Sequence, residues 1–243
     1  MMHNIDINKM NQLMEENKDT KQIISQLLEN HHTTVSTIAH EIRNPLTLIS
    51  SALQMIEIQH PETKSFSHWK QTMDDIEFMR QLLDELSTFN NGDTLHYSVF
   101  SMEHLLKNIA ISFAISLDEK ESDIEFTSSI PSGLGRFTGD KIKLEEVILN
   151  ILRNAEEAVE NKGMIFLSAE RKKDFLKIQI KDNGCGIPEE YMETIFEPFK
   201  TYKKEGTGLG LSLSKRIIEA HGGVISVTSK KGQGTVFTIK LPH

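Results

Sequence analysis

The first 91 residues of this 243-residue chain contain no glycine, and only Pro45 and Pro61 interrupt them. Glycine and proline are the poorest helix formers, so their scarcity argues against a loop-rich or sheet-rich N-terminal region and favours long helices. A single cysteine, Cys185, excludes an internal disulfide framework and fits a reducing, cytoplasmic compartment. The longest nearly apolar run, Ile109 to Leu117, falls far short of the ~20 residues of a membrane span. The opening MMHNIDINKMNQ has no apolar core behind a basic start, so no secretory signal is expected. Positive charge is also short: 27 Lys and Arg against 35 Asp and Glu leave a net charge of −8, which argues against a nucleic-acid partner. What remains, with 38% hydrophobic and 26% charged residues, is an ordinary globular composition for one large domain or two modest ones.

All 14 glycines lie at Gly92 or later, and this sets the expected boundary. Residues 1–23 read as a weakly patterned helical leader, 24–92 as a helical domain and 93–243 as a mixed domain. In the helical domain Ile24, Leu28, Val35, Ile38, Ile42, Ile49, Ala52 and Ile56 follow a 4–3 spacing, with His31 and Pro45 filling the two remaining seam positions. Such a seam buries a stripe against other helices. Residues 59–67 read as a turn. A second amphipathic run then places Trp69, Met73, Ile76, Met79, Leu83 and Leu86 on one face, and Asn90–Asp93 supplies a helix stop and linker. Two helices on a short loop cannot bury both stripes alone, so two copies of the chain are expected to form a four-helix bundle, a homodimer. His31 reads as a packed core histidine. His40 lies midway between seam residues Ile38 and Ile42 and therefore points to solvent. The remaining histidines, His32 and His60 among them, read as surface residues without a role.

From Asp93 onward helices and strands alternate. Strands are expected at 97–100 and 124–128, hairpins at 164–170 with 175–181 and at 224–229 with 235–240, and helices at 102–117, 141–159 and 212–220. Hairpins mixed with crossovers favour an α+β sandwich over a purely parallel sheet.

Several routes to chemistry are missing: there is no P-loop, no dinucleotide-binding G-x-G-x-x-G after a strand, no zinc-ligand spacing and no serine nucleophile elbow. Glycine-rich turns are present instead. Asp182-Asn183-Gly184-Cys185-Gly186 follows a strand, where an acidic side chain beside two glycines can hydrogen-bond the amino group of a flat base. Gly206-Thr207-Gly208-Leu209-Gly210-Leu211 opens a helix, whose N-terminal N–H groups and dipole suit phosphates. Gly232-Gln233-Gly234-Thr235 reads as a hairpin turn, and each cluster taken singly could be no more than that. Asn150 and Asn154 share one helix face, either as polar groups facing solvent or as hard oxygen donors to a hydrated magnesium ion.

Taken together and in order, these motifs resemble the ATP-binding domain of sensor histidine kinases, a branch of the fold shared with DNA gyrase and MutL. "LNILRNAEEAV" (149–159) looks like the asparagine box, "DNGCGIP" (182–188) and "GTGLGLSLSKRIIEAHGG" (206–223) the two glycine boxes, "FEPF" (196–199) the phenylalanine box, and "GQGTVFTIKLP" (232–242) the closing strand. "STIAHEIRNPLTLI" (36–49) resembles the phosphoacceptor box of the dimerisation and histidine phosphotransfer domain. The resemblance spans nearly all of residues 30–243.

It implies that His40 is phosphorylated from Mg-ATP and passes the phosphoryl group to an aspartate of a response regulator, with an upstream sensor or regulatory protein as a further partner. An imidazole titrates near neutrality, so its neutral form is an available nucleophile. By resemblance Glu41 holds the ring proton, and Asn44 orients the water that dephosphorylates the regulator. Asp182 would bind the adenine amino group, Asn154 would hold magnesium and Thr235 would lie near the base. Asn150 stands where the ATPase branches carry a water-activating glutamate, and an amide cannot take that proton. Residues 198–206 would form a lid whose Lys203 touches phosphates, although Lys200, Lys203 and Lys204 also fit a solvated loop. Arg43 reads equally as a solvated charge or a phosphate contact. Pro45 is expected to bend the helix one turn after His40. Two departures stand out: Glu157 replaces the Lys that many members carry three residues after the magnesium asparagine, and Lys200 replaces a second Phe. The competing readings are a histidine phosphotransfer adaptor and a GHKL-type ATPase.

Overall fold

The computed structural model describes residues 18–90, 95–159, 162–203 and 206–242. Most of the leader, the 91–94 linker, Lys204 and the side chains of Leu28, His31 and His32 lie outside that set. The chain divides into two compact units, Met1–Asn91 and Gly92–His243.

The first unit is a helical hairpin. Helix α1 (Lys18–Gln59) runs unbroken for 42 residues with Pro45 inside it. A 3₁₀ turn (Pro61–Ser65) leads into α2 (Trp69–Asn90), where the helix stop was expected. The hairpin packs along Ala39, Leu46 and Leu53 of α1 against Ile76 and Leu83 of α2. Within one hairpin the expected seam is not the packed one. Ala39, Leu46 and Leu53 recur every seven residues on a narrower stripe, while Ile38, Ile42, Ile49 and Ile56 stand 40–50% exposed on the single chain. Helix α1 thus carries two apolar stripes. The periodicity detected the one richer in isoleucine, whereas a helix hairpin packs closely on the one with alanine. Met79 of α2 likewise stands 45% exposed on the single chain.

Polar clasps close both ends of the hairpin. Trp69 Nε1 donates to Glu57 at 2.8 Å and Lys64 pairs with the same carboxylate at 3.1 Å. The Trp69 bond, then the Lys64 bond, holds the Glu57 carboxyl below its usual range. Asn90 Nδ2 donates to Ser36 Oγ at 2.8 Å at the other end.

The second unit is an α+β sandwich. Its five-stranded sheet has the order β2-β4-β5-β7-β6, built from β2 (Glu125–Ser129), β4 (Met164–Arg171), β5 (Phe175–Asp182), β6 (Val224–Ser229) and β7 (Thr235–Pro242). Only β2 and β4 are parallel; the other pairs are antiparallel. A second, two-stranded sheet joins β1 (Ser98–Ser101) to β3 (Arg136–Gly139). Strand β3 was not expected, because four residues flanked by Gly135 and Gly139 carry too little alternation to be read as a strand.

Strand alternation sends Ile165, Leu167 and Ala169 of β4, Leu176, Ile178 and Ile180 of β5, and Phe237, Ile239 and Leu241 of β7 into the core. The apolar faces of α3 (Met102–Glu119), α4 (Lys141–Ala158) and α5 (Gly210–Ala220) supply most of the other buried residues. Helix α4 begins at Asp140, whose side chain accepts from Lys143 N at 3.1 Å and from His96 N at 2.8 Å. Burial pushes the Asp140 carboxyl up, but the backbone N–H groups of His96, Lys143 and Ile142 outweigh it and hold the carboxyl low. His221 corrects an expectation, since it is buried and not a surface residue. Its Nδ1 sits 2.7 Å from Ile217 O, and its Nε2 accepts from Asp140 N at 2.9 Å. The ring therefore ties the end of α5 to the start of α4.

Candidate functional site

The alternation that buries Leu176, Ile178 and Ile180 also drives Asp182, the last residue of β5, to the inner face of the sheet. Asp182 Oδ1 accepts from Gly184 N at 2.8 Å and from Thr235 N at 3.2 Å. Burial raises its carboxyl above the ordinary range, against the opposing pull of those two backbone bonds. Thr235 opens β7 beside it, with its hydroxyl 2.9 Å from that of Ser229. Ser229 also receives Ile187 N at 2.8 Å and donates to Gly234 O at 2.9 Å, binding the first glycine turn to the closing hairpin.

These turns are close enough that side chains would obstruct them. Gly234 has φ +86°, and a Cβ there would lie 2.7 Å from Asn183 Cα. At Gly184 a Cβ would lie 2.6 Å from the carbonyl carbon of Ala158, and at Gly186 it would meet the backbone of Lys230. The result is a set of tightly packed backbone turns around a buried carboxylate, whose oxygens could pair with the amino group of a planar base.

Asn150 and Asn154 do not face solvent as simple polar groups. Asn150 Nδ2 donates to Ser214 Oγ of α5 at 2.8 Å, and Asn154 Nδ2 lies 3.5 Å from Asn150 Oδ1. Gly210, the first residue of α5, allows this approach, since a Cβ there would sit 2.6 Å from Asn150 Oδ1. No side chain caps α5 at Leu209. Thr207 Oγ1 accepts from Leu209 N at 3.3 Å, and Leu209 itself is buried. Gly208, with φ +72°, turns the chain so that its carbonyl accepts from Phe199 N at 3.0 Å. Gly206 packs against Thr201 and Lys203. Lys203 Nζ donates to Asn154 Oδ1 at 2.7 Å and pairs with Glu157.

Among the described residues no cluster of three His, Cys, Asp or Glu side chains could hold a metal ion. The carboxamide oxygens of Asn150 and Asn154 are hard donors that fit magnesium, which keeps several waters and takes the rest of its shell from phosphates.

In the helical unit His40, Glu41 and Asn44 are all exposed on α1, and the four-residue spacing puts Asn44 on the face of His40. Arg43 forms an interhelical pair and is not a freely solvated charge. It crosses the hairpin to Asp84 at 3.0 Å and reaches Leu83 O at 3.4 Å.

Comparison with known proteins agrees with both halves. Residues 139–243 match the family of Histidine kinase-, DNA gyrase B-, and HSP90-like ATPases, and residues 31–94 match the His Kinase A (phospho-acceptor) domain. The chain belongs to the sensor histidine kinases, as a catalytic core. This histidine kinase core is 34% identical over 206 residues to the signal transduction histidine-protein kinase AtoS of Escherichia coli, covering 84% of the chain and 34% of AtoS. It is similar to full-length ShkA, crystallised with AMPPNP, with TM-score 0.72 and 25% identity over 86% of this chain and 45% of that one. It is also similar to the catalytic domain of histidine kinase ThkA, with TM-score 0.54 and 31% identity over 60% of this chain and 95% of that one. The chain thus spans about a third of AtoS and under half of ShkA.

The histidine kinase core also uses residues that sequence reasoning passed over. Ser214 orients Asn150, and its signal was its place four residues after Gly210, whose carbonyl it bonds at 2.9 Å. Tyr202 stacks on Tyr191, with ring centroids 3.4 Å apart, and its hydroxyl lies 2.7 Å from Thr194 Oγ1. This stack anchors the chain two residues after Lys200. No helix among the described residues is long and apolar enough to cross a membrane.

Proposed function

We propose that this chain transfers the terminal phosphoryl group of Mg-ATP to His40 and then to an aspartate of a response regulator. One ring nitrogen of His40 attacks the γ-phosphorus, the bond to the ADP oxygen breaks, and Glu41 takes the proton from the other ring nitrogen. Asp182 accepts from the adenine amino group, and Thr235 stands beside it. The uncapped N-terminus of α5 and the glycines 206, 208 and 210 receive phosphates. Asn154, with Asn150 beside it, would hold magnesium, which supplies charge neutralisation at the phosphates. Phosphoryl transfer depends chiefly on such positioning and neutralisation. Lacking a carboxylate at position 150, the site does not activate water, which favours histidine as acceptor. The exposed isoleucine stripe of α1 is covered by a second copy of the chain, giving the four-helix bundle, and Asn44 assists dephosphorylation of the regulator.

The observation that carries this reading is one chain holding both an exposed histidine in HEIRNP and a buried carboxylate among close-packed glycine turns. Incubation with radiolabelled ATP and magnesium tests it. Acid-labile, alkali-stable label that disappears in His40→Gln is expected. Released phosphate without label would favour the ATPase, and label acquired only from another phosphoprotein would favour the adaptor.

A further inference from the structure

Glu157 stands one turn after Asn154 near the end of α4, and its carboxylate is paired with the lid residue Lys203. The same ammonium donates to Asn154 Oδ1 at 2.7 Å, while the Asn154 amide is turned towards Asn150 Oδ1. The neighbouring Tyr202 is held by its stack on Tyr191 and by Thr194, so the lid backbone is anchored beside the lysine. The only atom of Asn154 suited to a hard cation is therefore already occupied by a cation belonging to the chain.

We propose that Glu157 is a positioning residue that places Lys203 as a stand-in cation on Asn154 Oδ1, so that Lys203 and the magnesium of the incoming nucleotide compete for that one oxygen. The inference rests on the nucleotide reading above. The oxygen has two lone pairs, but an ammonium and a divalent ion both at bonding distance from it repel each other, so each weakens the binding of the other. Magnesium arriving with phosphates displaces the ammonium. Glu157 then keeps Lys203 tethered next to the vacated position, within reach of the phosphate oxygens. A lysine at position 157 would instead repel Lys203 from this corner. The departure noted in the sequence thus becomes a pairing between α4 and the lid.

Calorimetric titration of the full chain with a non-hydrolysable ATP analogue tests this, first in EDTA and then across a magnesium series. The readout is the magnesium concentration that gives half of the gain in nucleotide affinity. Glu157→Gln and Lys203→Met are each expected to lower that midpoint by about three- to fivefold, the range of an exposed charge pair. The double variant should match Lys203→Met and not show the product of the two effects, because both changes act on one contact. In EDTA, Lys203→Met should bind the analogue more weakly than wild type. An unchanged midpoint in Glu157→Gln, or multiplicative effects in the double variant, would overturn the proposal. A raised midpoint in Glu157→Gln would do so too, because Glu157 would then be a cation ligand itself. Wild-type protein that fails to bind the analogue at any magnesium concentration would overturn the nucleotide reading and this proposal with it. Normal wild-type binding with unresponsive variants would remove this proposal alone.

Discussion

The two units place chemistry on the protein in opposite ways. The helical hairpin has no glycine and displays His40, Glu41 and Asn44 on an exposed helical face. The sandwich instead buries its Asp182 carboxylate, only 3% exposed, among the close-packed glycine turns of Gly184, Gly186 and Gly234. On the proposed function the contrast follows from what each must handle. A phosphoacceptor would serve macromolecular partners in turn and need access, whereas discrimination of a small planar base would need a desolvated polar group.

The largest effect should come from the buried side of this comparison. Leu152→Ala in α4, fully buried, should cost about 2–5 kcal/mol in urea unfolding. Ile42→Ala, at a position 50% exposed, should change the stability of the isolated chain by no more than about 0.5 kcal/mol. If the isoleucine stripe is covered by a second copy, the wild-type unfolding midpoint rises with protein concentration and Ile42→Ala weakens that dependence.

Next in size is Gly234→Ala. The positive φ and the approach to Asn183 predict a loss of about 1–3 kcal/mol together with lost nucleotide affinity, read by thermal shift and calorimetry. Intact affinity would show that nucleotide binding does not depend on the close packing of this turn against Asn183.

Acidity sharpens the comparison further. The Asp182 carboxyl is raised by burial, and its ionised form is the one that accepts from an amino group. Affinity for the ATP analogue should therefore fall on acidification from above the ordinary carboxylate range. The stability sign is the reverse. Between its unfolded and raised folded values the native state binds more protons, so this group adds stability as pH falls and is a cost above that window. Asp182→Asn, which keeps an oxygen for Gly184 N and Thr235 N, should have a Tm at neutral pH no lower than wild type while binding nucleotide poorly. Asp140, held low, behaves oppositely: its contribution is present above its unfolded pKa and is lost as pH falls through the folded value. Small again is the effect of Arg43→Ala. Its pair with the half-exposed Asp84 should contribute about 0–1 kcal/mol, measured by a double-mutant cycle with Asp84→Ala.

Much of the sandwich was legible because strand alternation and helix periodicity are local. The hairpins β4–β5 and β6–β7 and the helices α3 to α5 follow from patterns within ten or twenty residues. Strand β3 was missed because it is short and its pairing to β1 spans the whole of α3 and β2. His221 was misjudged because nothing near it in the chain announces that Asp140 N will need its lone pair.

The amino-acid order alone determined where helix gives way to mixed structure, that Asp182 shares the inner face of β5 with three buried aliphatics, and that His40 points away from its apolar neighbours. Each of these depends on periodicity and on the backbone limits of glycine, which act over a few residues. Only the tertiary structure decided which of two stripes on α1 meets α2, that Arg43 spans the hairpin, and that Lys203 lies on Asn154 and Glu157. Those outcomes depend on surfaces brought together from far apart in the chain, where closeness of fit and charge pairing select among partners that local pattern leaves equivalent.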